Sequence, residues 1–128
     1  MNHGRREVSL GRTLLVIAAG GVVGSLARYG VAEAWPHQQG GFPWATFVIN
    51  VVGCFLIGVL LARITPATHP LLRPFVGTGV LGGFTTFSTF AVDTDRLLPD
   101  HAVVALIYFF GTLVAAMVAV WAGDRVAR

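Results

Sequence analysis

The chain has 128 residues, of which 55% are hydrophobic and only 12% charged, about half the charge of a typical soluble domain, roughly 25%. So few charges cannot cover a water-facing surface of this size, which excludes an ordinary soluble domain. All nine basic residues are Arg, against six acidic ones, for a formal net charge of +3. These Arg lie between apolar blocks and not in a mixed Lys/Arg cluster, a pattern of membrane flanks and not of a nucleic-acid face. Cys54 is the single cysteine, so there is no intrachain disulfide framework and no cysteine metal motif.

The first apolar block covers residues 13–32. It follows Arg5, Arg6 and Arg12 and contains Arg28 near its end. A secretory signal is the competing reading, with 32–34 as a loose cleavage site, but Arg28 suits an h-region poorly. Three further blocks follow, so even a cleaved chain would remain a membrane protein. Gly20 and Gly24, spaced by four, permit close helix approach, although glycines are common in membrane helices anyway. A cation inside a spanning segment marks an ion or ligand pathway, and one near a helix end also has the option of snorkelling.

The second block, residues 44–62, carries no charge and places the amide of Asn50 at depth. The third, 75–92, contains Gly79 and Gly83. The fourth, 102–123, has Tyr108 and Thr112 four apart on one face. The hydroxyls and the amide make either a donor ladder or hydrogen-bonded glue between helices. Backbone groups in lipid must be satisfied within their own segment, and about 20 apolar residues span the hydrocarbon core as a helix. The expected fold is therefore an all-α membrane protein: one four-helix unit with spans near 10–33, 44–62, 72–95 and 102–123. Trp35, Trp44 and Trp121 fall at block ends, where amphipathic rings favour the interface. With four spans, Arg5, Arg6, Arg12, Arg63, Arg73, Arg125 and Arg128 share one side and Arg28 and Arg96 the other, which places both termini in the cytoplasm.

The densest polar signal is Gly82-Gly83-Phe84-Thr85-Thr86-Phe87-Ser88-Thr89-Phe90. Paired glycines followed by four hydroxyl residues are poor helix material. A break at membrane depth is tolerated where the freed backbone groups face protein, water or an ion, and unwound carbonyls then suit a hard cation. A kinked helix with hydroxyls bonded to their own turn is the bland alternative. Phe87 and Phe90, with Phe84 in the same row, present ring edges that carry partial positive charge. Helix packing by the same rings is the plainer reading. No carboxylate falls in the middle of a block: Glu33, Asp93, Asp95 and Asp100 lie at ends or in connections, and His3, His37, His69 and His101 are dispersed. Neither enzymatic chemistry nor proton-coupled export finds its residues here.

On that nine-residue motif, with Gly20-Gly21-Val22-Val23-Gly24-Ser25-Leu26-Ala27-Arg28-Tyr29 and Thr46-Phe47-Val48-Ile49-Asn50-Val51-Val52-Gly53 in support, the chain resembles the CrcB/Fluc family of bacterial fluoride channels along nearly its whole length. The resemblance implies a multi-pass protein of the bacterial cell membrane, a dimer of oppositely inserted subunits whose third helix is broken near the bilayer centre. It implies a structural Na+ at the dimer centre, held through backbone oxygens at Gly82 and Thr85, required but not transported. It implies a fluoride pathway at Asn50, Phe87, Phe90, Ser88, Thr89, Tyr108 and Thr112, with Arg28 near the vestibule. Fluoride would leave the cytoplasm passively, which lowers its toxicity.

Two departures stand out: Ala116, where the family often has another hydroxyl, and Asp93, where it commonly has Glu. The seven-to-two Arg bias argues against equal insertion both ways, so the partner is either a second copy or an oppositely oriented paralogue. The alternative functions are a small dual-topology multidrug exporter and a non-conducting structural subunit.

Overall fold

The computed structural model describes residues 9–36, 38 and 40–128. Arg5, Arg6, His3 and His37 lie outside the described residues. Helix α1 spans Leu10–Ala34, capped by Ser9, whose hydroxyl accepts from the Arg12 amide at 3.3 Å. Helix α2 spans Trp44–Arg63 and is preceded by a turn that holds Gly40 at φ 77°, a conformation L side chains rarely adopt. The third span opens with a π-helical segment, Arg73–Leu81, and continues through the short α3, Gly82–Phe84, to α4, Phe87–Leu97. Helix α5 spans Ala102–Ala127. It runs past residue 123, where an ion pair of Arg128 with Asp124 at 2.8 Å and Arg125 stacked over Trp121 extend the last turns.

Four helices, Leu10–Ala34, Trp44–Arg63, Arg73–Leu97 and Ala102–Ala127, are long and apolar enough to cross a membrane, and no strand occurs among the described residues. At 1.5 Å per residue the shortest, of 20 residues, reaches about 30 Å, the thickness of a hydrocarbon core. Large apolar side chains such as Leu15, Val103, Met117 and Trp121 remain exposed, as a lipid-facing surface requires.

Packing follows the glycines. Helix α1 lies against the π-helical segment and α3, and α2 lies against α5. A Cβ on Gly20 would come within 2.9 Å of the Gly79 Cα, and one on Gly24 would overlap the Val80 carbonyl oxygen. Gly58 and Gly123 do the same for α2 and α5, where a Cβ would strike the carbonyl oxygens of Val120 and Phe55. With no hydrophobic force between helices in lipid, such backbone proximity is the main source of cohesion. A small core of Phe90, Leu97, Ala105 and Tyr108, with Phe42, Phe47 and Phe109 against it, ties α4 to α5.

Between α3 and α4 the backbone is extended: Thr85 has φ −76°, ψ 155° and Thr86 has φ −145°, ψ 114°. Two consecutive β-branched residues favour this region. Thr86 then serves as N-cap of α4, its hydroxyl accepting from the Thr89 amide at 3.1 Å.

Candidate functional site: a polar groove along the third span

The extended pair is held from α2. Asn50 Nδ2 donates to the Thr86 carbonyl at 3.1 Å, and Asn50 Oδ1 accepts the Thr86 N–H at 2.9 Å. The side-chain amide thus pairs with one residue's backbone as a neighbouring strand would, and Nδ2 keeps a second hydrogen to donate. Gly53, one turn after Asn50, makes the approach possible, since a Cβ there would overlap the Thr85 methyl.

The diversion of these amides changes which carbonyls are free. In a continued α-helix the Thr86 N–H would bond the Gly82 carbonyl and the Thr89 N–H the Thr85 carbonyl. Here the first goes to Asn50 and the second to the Thr86 hydroxyl. The Gly83 carbonyl between them is engaged from α1: Arg28 Nε donates to it at 3.1 Å and the Ser25 hydroxyl at 3.5 Å. Arg28 is therefore half-buried and tied to the backbone of the third span, not free at the interface. The Thr85 hydroxyl donates back to Leu81 at 3.0 Å.

A groove of about 220 Å³ runs between α2, the extended pair, α4 and α5, lined among others by Asn50, Thr85, Phe87, Phe90 and Thr112. Phe87 and Phe90 have ring centroids 6.0 Å apart, yet Phe87 is 77% exposed and Phe90 only 3%. Phe84 is cut off from them by Thr85 and Thr86, so the helical row expected through all three rings does not run through it. Ser88 is exposed, with its hydroxyl 3.4 Å from that of Thr86. Thr89 lines a different space, a mouth-like cavity of about 700 Å³ shared with Trp35, Trp44, Thr46, Asp93 and Arg96.

Tyr108 is fully buried, and its hydroxyl donates to Asp93 Oδ2 at 3.3 Å. Thr112, one turn on, is 4% exposed and its hydroxyl has no partner. In the sequence Asp93 reads as a carboxylate at the end of a span and as a departure from a family pattern, not as a site residue. Its spacing of three from Phe90 is the signal that places it on the α4 face turned towards Tyr108. Among the described residues no group of His, Cys, Asp and Glu could hold a metal ion. A hard cation here would be held by neutral oxygens, from backbone carbonyls or the hydroxyl and amide side chains.

Four apolar spans, with a largely apolar groove between the second, third and fourth that carries Asn50, Thr85, Thr86 and Thr112, define the class: a multi-pass membrane protein. The sequence profile described as "CrcB-like protein, Camphor Resistance (CrcB)" matches residues 15–124, and the chain belongs to that family. Among its relatives, a protein of Nocardia farcinica named Fluoride-specific ion channel FluC 2 is 52% identical over 118 residues, 90% of this chain and 84% of the relative. A Streptomyces avermitilis protein of the same name is 53% identical over 114 residues, covering 87% and 69% of the two chains. A Chlorobaculum tepidum protein named Fluoride-specific ion channel FluC is 42% identical over 120 residues, covering 91% and 95%.

Proposed function

We infer that the chain is a subunit of a fluoride-specific channel through which cytoplasmic fluoride leaves passively, a transport activity and not a catalytic one. The observation that carries this reading is the groove itself: Asn50, whose Nδ2 keeps a second hydrogen to donate, Thr112, whose buried hydroxyl has no partner, and the rings of Phe87 and Phe90 all line one space beside the extended residues Thr85 and Thr86. The relatives' shared name points to the same anion. Fluoride is small and strongly hydrated, so leaving water demands donors in close succession. A narrow donor-lined path supplies them, and weak stations let the ion move on. Neutral HF crosses membranes and ionises inside, so an anion path lowers the internal level.

The interruption of the third span belongs near the bilayer centre in this reading, and Phe87 there, exposed in one copy, is covered by an oppositely inserted second copy or a paralogue. The Arg bias of the loops favours a fixed orientation and hence the paralogue. A reporter on the C-terminus, read from both sides of the membrane, decides: signal from both faces removes the fixed orientation. The freed carbonyls of Gly82 and Thr85 fit a structural Na+, because they are hard, neutral oxygens at the point where the two diverted amides leave them unpaired. Bound there, the ion would brace the interruption without being transported. The multidrug-exporter alternative lacks a carboxylate in the groove.

Purified protein in liposomes, followed with a fluoride electrode, tests the reading. Efflux above empty liposomes is expected with Na+ present and lost when Na+ is replaced by N-methylglucamine. No efflux from a correctly assembled dimer in Na+ would defeat it. If an anion at the ring edge gains an amount similar to an aromatic pair, about 0.5–1.5 kcal/mol, Phe87→Ile is expected to slow efflux by about two- to tenfold. An unchanged rate would remove that ring from the path.

A further inference from the structure

The groove contains one more side chain with chemistry of its own. Cys54 lies four residues after Asn50, on the same face of α2, and lines the same 220 Å³ space. It is half-buried and free. An independent observation at the same groove comes from α5. Buried threonines in helices commonly bond back to the preceding turn, and Thr94 does so at 2.9 Å to the Phe90 carbonyl. Thr112 does not: its hydroxyl is buried without any partner while its residue lines the groove. A buried hydroxyl left unpaired is costly, and a ligand in the groove relieves that cost.

We propose that Cys54 lines the anion route, its thiol and the Thr112 hydroxyl forming one station, a helical turn along α2 from Asn50, for a small anion stripped of water. The inference rests on the fluoride reading above. A thiol is a weak donor, so the station holds an ion loosely and passes it on. It also leaves the wall of the path open to thiol chemistry at a single position, since the chain has no other cysteine.

A cationic alkyl methanethiosulfonate is the probe. The Cys54 sulfur bonds to the reagent's sulfenyl sulfur, the S–S(O2) bond breaks, methanesulfinate departs with the bonding pair and the thiol proton goes to water. The full chain, reconstituted in liposomes, needs no prior substitution. Labelling confirmed by mass is expected to abolish fluoride efflux, and a reductant that cleaves the mixed disulfide is expected to restore it. Cys54→Ser, with a stronger O–H donor that holds the ion longer, is expected to conduct more slowly and to ignore the reagent, while Thr112→Val, which removes the partner donor, also slows efflux. Stoichiometric labelling with efflux unchanged overturns the proposal. So does a thiol that stays unlabelled in conducting protein, a block that reduction does not reverse, a Cys54→Ser that conducts as fast as the wild type or faster, or wild-type flux from Thr112→Val. Efflux from untreated protein keeps failure of this inference apart from failure of the fluoride reading, and without that efflux both fall.

Discussion

Gly24→Ala is expected to cost the protein about 3 kcal/mol or more, the upper part of the range for overpacked interiors, while Gly11→Ala gains up to about 1 kcal/mol of helix propensity. The two substitutions add the same methyl group to the same helix. At Gly24 that methyl overlaps the Val80 carbonyl oxygen and lies 2.8 Å from the Phe84 amide nitrogen; at Gly11 nothing stands within 4 Å. The obstacles at Gly24 are backbone atoms, which no rotamer change removes. To admit the methyl, α1 must move away from the third span, which also draws Arg28 and Ser25 off the Gly83 carbonyl. The damage therefore spreads from packing to the hydrogen bonds that flank the extended residues. Thermal unfolding in detergent, read for both variants beside the wild type, is the measurement. Equal melting points for Gly24→Ala and the wild type would show that the close approach of these helices contributes little.

That contrast also marks what one sequence can convey. The four spans were readable because charge exclusion acts locally: 44–62 and 102–123 need no knowledge of their neighbours to be recognised as membrane-length apolar stretches. The pair Gly20/Gly24 suggested a close contact but not its partner, because helix spacing says which face is small and nothing about what meets it. Asn50 was legible as an amide that must be paired. That its partner is the backbone of Thr86, 36 residues later, follows only from the fold. Arg28 shows the same limit, as its acceptor on Gly83 is 55 residues away. The π-helical winding of Arg73–Leu81 leaves no pattern in the hydrophobic periodicity, and the extended pair ends the row that Phe84 was expected to share with Phe87 and Phe90. Cys54 went unnoticed as a groove residue for a different reason: a lone thiol has no motif, and only its position one turn from Asn50 sets it apart.

Asn50 itself carries the largest functional effect, and two substitutions separate what its side chain does. Asn50→Leu keeps similar bulk but removes both the acceptor for the Thr86 N–H and the donor to its carbonyl. Each buried backbone group left unpaired costs about 1–3 kcal/mol, and a leucine side chain offers neither donor nor acceptor to make up the loss. The two extended threonines then lose the side chain that pairs with the Thr86 backbone, the only one to do so among the described residues, so both melting point and fluoride efflux are expected to fall together. Asn50→Asp differs. Its carboxylate still accepts the Thr86 N–H, but it faces the Thr86 carbonyl with a second acceptor, and it puts a negative charge in a groove read as an anion path. Efflux is expected to drop to the rate of empty liposomes while the melting point falls less than for Asn50→Leu. If Asn50→Asp conducted fluoride at the wild-type rate, the amide would be a structural clamp alone, and the path would have to pass elsewhere. If Asn50→Leu melted like the wild type, the strand-like pairing with Thr86 would not be what holds the extended residues in place.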